Sequence, residues 1–246
     1  MEHSQFSDGR DRFDRRAFCK AVGIATAVGA VEVSLGSMLA HADLTKEQRD
    51  KMTPDEIIQQ MKAGNERFRS GKSQHRDLMR EVHATAKGQY PAAIVLSCVD
   101  SRAPVELILD FGIGDIFSSR VAGNVADEDV LGSMEFACKV AGSKVVLVMG
   151  HTACGAVKGV IDGVQLGNLT ALLAKIRPAV EATHYTGERT AKNYAFVDAV
   201  ARQNVSLTIA NIREKSPVLR DLESSGSVKI AGSMYNLETG IVEFLA

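Results

Sequence analysis

Apolar residues along the chain fall into two periodicities, and each predicts a kind of element. Within residues 53–68, Ile57, Ile58, Met61 and Phe68 recur at helical spacing behind Thr53-Pro54-Asp55-Glu56, a capped helix start. Residues 70–90 are polar and broken by glycine, which reads as a surface connection with a short helix. The run 92–97, just after Pro91, is a short, mostly apolar stretch of strand length, the pattern of a buried strand. Further strands are expected over 116–121 and 144–149, the second (KVVLVM) being the clearest in the chain. Helices are expected over 104–109, 131–140, 153–161, 169–180, 193–214 and 217–224. A last strand pair, 228–235 and 241–244, turns at Glu238-Thr239-Gly240. Strands alternating with helices predict an α/β fold. Its mostly parallel central sheet is flanked by helices, in a single domain with an N-terminal helical arm.

The first forty residues follow neither pattern. A polar, charged start leads to Arg15-Arg16, Phe18 and Lys20, then to a weakly apolar stretch over 21–40 and an A-x-A-like site at Ala40-His41-Ala42. This resembles a twin-arginine export signal covering 1–42, and leaves 43–246 as the working domain. A spanning helix needs about 20 strongly apolar residues, whereas this stretch carries Glu32 and several glycines. Cys19 precedes the apolar part, which argues against a lipid anchor. The expectation is a periplasmic or secreted protein with no stable membrane anchor.

Composition narrows the choice of partners. A net charge of −1 and the lack of tryptophan give no basic patch or stacking platform, so nucleic acid is not expected. Three of the four cysteines, Cys98, Cys138 and Cys154, fall in the working domain. They do not form a disulfide framework of the small secreted kind. Cys138 sits in an apolar helix and reads as packing.

Two segments that follow strands carry chemistry. In Cys98-Val99-Asp100-Ser101-Arg102, alternate residues of an extended chain share a face, at the strand end where open α/β sheets place ligands. Alone, this segment reads more readily as a buried cysteine beside a surface Asp–Arg pair. In Gly150-His151-Thr152-Ala153-Cys154-Gly155, the spacing puts His151 and Cys154 about one helical turn apart, within reach of one metal. A cysteine at a helix start is shifted toward thiolate, and Gly150 and Gly155 are read as allowing a tight turn. Together Cys98, His151 and Cys154 make an S/S/N set suited to zinc, with Asp100 as a fourth, labile ligand. Asp100 on the metal fills the open position, which marks a resting state; turned to Arg102, it leaves that position free.

At these residues the chain resembles the β-class carbonic anhydrases, whose hallmark is Cys-x-Asp-x-Arg followed by His-x-x-Cys. The likeness continues through Arg120-Val121-Ala122-Gly123-Asn124, Lys158-Gly159 and Tyr235-Asn236-Leu237-Glu238-Thr239-Gly240. The resemblance implies reversible hydration of carbon dioxide to bicarbonate and a proton on Zn2+. It also implies an Asp100–Arg102 dyad that orients the hydroxide, and a homodimer or tetramer, with the arm at 53–68 embracing a partner. Many members carry a substrate-binding glutamine near 110–115; this chain has Phe111 there, which weakens the carry-over of the substrate pose. Gly123 and Asn124 are expected to line the pocket. His75, His83 and His184 read as surface histidines. The competing readings are a zinc hydrolase of the same fold acting on carbon disulfide or carbonyl sulfide, a non-catalytic zinc- or bicarbonate-binding protein, and a redox pair of Cys98 and Cys154.

Overall fold

Strands β1 (Ala93–Ser97) and β3 (Val145–His151) are buried along their whole length, which is why their sequences run apolar without alternation. The computed structural model describes residues 44–245; the export segment expected over 1–42 lies outside the described residues. With β2 (Ile116–Arg120), β4 (Lys229–Tyr235) and β5 (Val242–Phe244), these strands form one sheet in the order β2-β1-β3-β4-β5. The first four are parallel, and β5 returns antiparallel along β4.

The sheet has an apolar cluster on each face. Ile94, Leu96, Val146 and Val148 point to one, and Val95, Val145, Leu147 and Met149 to the other. Helices α1 (Lys46–Lys51), α2 (Pro54–Arg69), α3 (Leu78–Thr85) and α4 (Val105–Ile108) come early in the chain. Of these, α2 and α4 cover the second face through Ile57, Met61, Val105 and Ile108. Helices α5 (Glu128–Glu135), α6 (Gly155–Ile161), α7 (Gly167–Ala182), α8 (Tyr194–Lys215) and α9 (Pro217–Ser224) cover the first. This is the α/β architecture expected, with a mostly parallel sheet. Among the described residues no helix is long and apolar enough to cross a membrane.

Several boundaries differ for identifiable reasons. Helix α1 carries no apolar periodicity; a Thr45–Gln48 capping box holds it, with Arg49 donating to the carbonyl of Ala141. The helix expected over 131–140 starts earlier, capped by Asp127, and its end widens into a π turn at Phe136–Val140. The apolar side of α2 is buried on the chain's own sheet through Ile57, Ile58 and Met61. Strand β3 runs on to His151 because β4 continues beside it, pairing Gly150 with Met234 and His151 with Tyr235. Gly150 serves close packing: a Cβ there would lie 2.7 Å from Met234 Sδ and from Val205 Cγ2.

Candidate metal centre

Cys98 leaves the end of β1, and its Sγ accepts a hydrogen bond from the backbone N–H of Gly123 at 3.3 Å. Gly123 lies in a short 3-10 turn, Ala122–Asn124, after β2. Its φ of 69° suits glycine, and Asn204 on α8 fixes its carbonyl at 2.7 Å. His151 ends the neighbouring strand β3, and Cys154 is the N-cap of α6. The three side chains therefore meet at the carboxyl end of the sheet, where parallel strands gather ligands. The ligand atoms of Cys98, His151 and Cys154 all lie within 4.8 Å of one another, and all three residues are buried.

The turn between His151 and Cys154 is made by Ala153, whose φ is 53°. Gly155, expected to provide the tight turn, begins α6 with ordinary backbone and open space at its Cβ position. Thr152 pins the turn: its N–H donates to the carbonyl of Tyr235 at 3.0 Å, and its hydroxyl accepts from Leu237 N at 3.0 Å. The N–H of Ala153 donates to the carboxylate of Asp198 on α8 at 2.7 Å.

Electrostatics at the cluster suit a cation. The sulfur of Cys98 is drawn well below an ordinary thiol, first by the hydrogen bond from Cys154 and then by His151 and the Gly123 amide, against burial. Cys154 is pushed up by sitting beside the Cys98 thiolate and by burial. For His151, burial lowers the imidazole pKa most, but Cys98, the Thr152 carbonyl and Asp100 together raise it, and the net shift is upward. His151 Nδ1 lies 2.8 Å from the carbonyl of Thr152, which assigns its proton to Nδ1. Nε2 is left buried with no hydrogen-bond partner. An orphaned imidazole lone pair beside two paired sulfurs is what a metal ligand set requires.

Asp100 and Arg102 flank the cluster. Arg102 binds Asp100 through both side-chain and backbone nitrogens, and holds the carboxyl far below the usual carboxylate range. Asp100 Oδ2 stands 3.9 Å from His151 Nε2. Arg120, at the end of β2, spans the segment by donating to the carbonyls of Cys98 and Asp100. Asn124 is buried and its Nδ2 has no partner. Phe111 packs on the hydrophobic cluster of the opposite face from the one containing Cys98 and Cys154, so within one chain it does not join the ligands. Sequence reading missed Asp198, which lies far along the chain on a helix with no motif around it; only the fold brings it to Ala153. The role of Arg120 was visible only as part of a shared segment.

Comparison with known proteins agrees with this site. A family model described as "Carbonic anhydrase" matches residues 93–242, the span that contains Cys98, His151 and Cys154. Carbonic anhydrase 2 of Mycobacterium tuberculosis is 34% identical over 186 residues, covering 73% of this chain and 87% of that protein. The fold is shared with the β-carbonic anhydrase CafA of Aspergillus fumigatus, at 26% identity and a TM-score of 0.60 over 77% of this chain and 90% of that one. It is shared also with a tetrameric β-carbonic anhydrase of Sordaria macrospora, at 24% identity and a TM-score of 0.59, over 68% and 90%. Buried S/S/N donors at the sheet's carboxyl end, an Asp–Arg pair beside them and these relatives together make the chain a member of the β-class carbonic anhydrase family.

Proposed function

We propose that this protein catalyses the reversible hydration of carbon dioxide to bicarbonate and a proton, with Zn2+ held by Cys98, His151 and Cys154. The observation that carries the reading is the buried Nε2 of His151, without a partner, in a cluster whose ligand atoms lie within 4.8 Å. Zinc in such a site supplies Lewis acidity, lowering the pKa of a coordinated water toward neutrality. Two thiolates and a neutral imidazole balance the charge of the ion and suit its softness.

The chain's own residues do the rest. Arg102 holds Asp100 as a carboxylate, with both oxygens engaged. In that position Asp100 is a fixed hydrogen-bond acceptor at the edge of the cluster, and orients the nucleophile's O–H so that its lone pair faces carbon dioxide. The alternative placement of Asp100, as a fourth ligand, is given up while Arg102 holds it. The backbone of Gly123 and the side chain of Asn124 are proposed to border the substrate.

The same reading includes assembly and export. Exposed Leu107, Phe136 and Val140 give apolar surface for a homodimer or tetramer, and the Sordaria macrospora protein of this fold is tetrameric. Export rests on the sequence pattern around Arg15-Arg16. It is tested by whether Arg15→Lys with Arg16→Lys traps the protein in the cytoplasm.

Stopped-flow carbon dioxide hydration on metal-assayed protein, between about pH 6.5 and 9, tests the activity. Turnover proportional to bound zinc is expected. Bound zinc with no hydration at any pH overturns the enzyme reading, and carbon disulfide and carbonyl sulfide are then the substrates to assay.

A further inference from the structure

We infer that Asp198 is a positioning residue for the metal centre: from α8 its carboxylate holds Ala153 in the left-handed conformation that sets Cys154 beside His151. The inference rests on the metal reading above and adds a part of the machinery that lies outside both ligand segments.

Only Thr152 and Ala153 separate the last residue of β3 from the N-cap of α6. To reverse direction in two residues and still deliver two ligands to one point, the chain takes a positive φ, and it takes it at Ala153, 53°. Side chains with a Cβ adopt that region at a cost, and glycine does so freely. Neither flanking glycine carries the turn, so the strained conformation must be held by its surroundings. The bond that holds it is from Ala153 N–H to the side-chain Oδ1 of Asp198, 2.7 Å.

Asp198 is firmly mounted. It lies near the start of α8, which is capped by Asn193, and its neighbours Phe196, Val197 and Val200 are fully buried. Arg202, one turn further on, is bound to Glu243 through its guanidinium. The carboxylate therefore transmits the position of a buried helix to the backbone amide of Ala153, the residue that takes the positive φ between His151 and Cys154.

The test compares the full chain with Asp198→Ala, Asp198→Asn and the double variant Asp198→Ala with Ala153→Gly. Zinc affinity is measured by chelator competition, and the ligand field by absorption of the cobalt-loaded protein. Asp198→Ala should weaken zinc about ten- to a hundredfold and alter the cobalt bands. Asp198→Asn, which keeps a neutral acceptor, should fall between. Ala153→Gly in the Asp198→Ala background should regain about fivefold, because glycine needs no support at that φ. Wild-type affinity and spectrum in Asp198→Ala, or no recovery in the double variant, would overturn the inference. Failure of the wild type to take up zinc or cobalt would instead sink the metal reading. The inference is then judged by exchange of the Ala153 amide in metal-free protein, which should accelerate in Asp198→Ala; unchanged exchange overturns it.

Discussion

Both carboxylate oxygens of Asp100 are engaged by Arg102, Nε to Oδ1 at 3.0 Å and Nη2 to Oδ2 at 2.8 Å. Oδ2 nevertheless stands only 3.9 Å from His151 Nε2. Arg102 is more than half exposed, so the pair adds little to stability, and its consequence lies in where it keeps Asp100. Arg102→Ala should leave zinc content and the thermal midpoint nearly unchanged while turnover falls about a hundredfold or more. Arg102→Lys should fall less far but not recover, since an ammonium cannot reproduce the two-pronged bond. Metal analysis beside stopped-flow rates decides this, and full activity in Arg102→Ala would remove the dyad from the mechanism.

The cluster of Cys98, His151 and Cys154 was legible in the sequence because each belongs to a short segment just after an apolar run. A strand of known end places Cys98, and a strand-to-helix junction places His151 and Cys154. The supports of those ligands were not legible. Asp198 meets Ala153 across the fold, and Arg120 reaches two carbonyls that any residues would present. The capped start of α2 was readable from Thr53 to Glu56, whereas α1 was not, since Lys46–Lys51 has no apolar stripe and depends on its cap and on Arg49. Phe111 packs within its own chain on the other face of the sheet, a placement its position in a segment could not show.

Removing the metal should free two thiols to react and leave a third inert. Cys138 is buried, and burial alone pushes its thiol up to about 12. In chelated protein, alkylation at pH 8 should label Cys98 first, since its neighbours favour the thiolate, and Cys154 more slowly. Cys138 should stay unlabelled until the protein unfolds, and zinc should protect Cys98 and Cys154. In air the metal-free pair should join as a disulfide, closing to about 2.05 Å between sulfurs. Peptide mapping by mass spectrometry reads all three positions; labelling of Cys138 in the folded protein contradicts the packing argument.

The loop after α4 should confer a stability that grows toward acid. Asp115 accepts the Gly112 N–H at 2.8 Å and lies 3.8 Å from Arg76, with Glu81 close by. Burial raises its carboxyl above the usual value of 3.8, against the Gly112 amide and Arg76, while Glu81 adds to the rise. A carboxyl raised in the folded state binds its proton more readily there than in the unfolded chain. Its contribution is therefore fully present below the unfolded pKa and is lost as pH rises through the folded one. Wild type should gain stability relative to Asp115→Asn as pH falls from neutrality to about 4. Parallel denaturation curves for the two proteins across that range would contradict the raised value.

Gly123 joins the backbone of the metal loop to the core, and its replacement by alanine tests how tightly the two are coupled. Its N–H donates to Cys98 Sγ, its φ is 69°, and an added Cβ would lie 2.3 Å from Cδ1 of the fully buried Ile176 on α7. Two costs follow: about 1 kcal/mol for a Cβ in the left-handed region and about 1–3 kcal/mol for overpacking. Gly123→Ala should therefore destabilise the metal-free protein by about 2–4 kcal/mol and weaken zinc as the amide leaves Cys98. The two costs can be separated. Ile176→Val deletes the atom in the way, at about 0.5–1.5 kcal/mol when made alone. In the Gly123→Ala background it should cost nothing or restore stability, while the backbone share persists and zinc binding recovers only in part. Denaturant titrations of the four proteins give the coupling energy. Simple additivity would mean that the loop shifts away from Ile176 freely, and that the Cys98 sulfur is not held by the core.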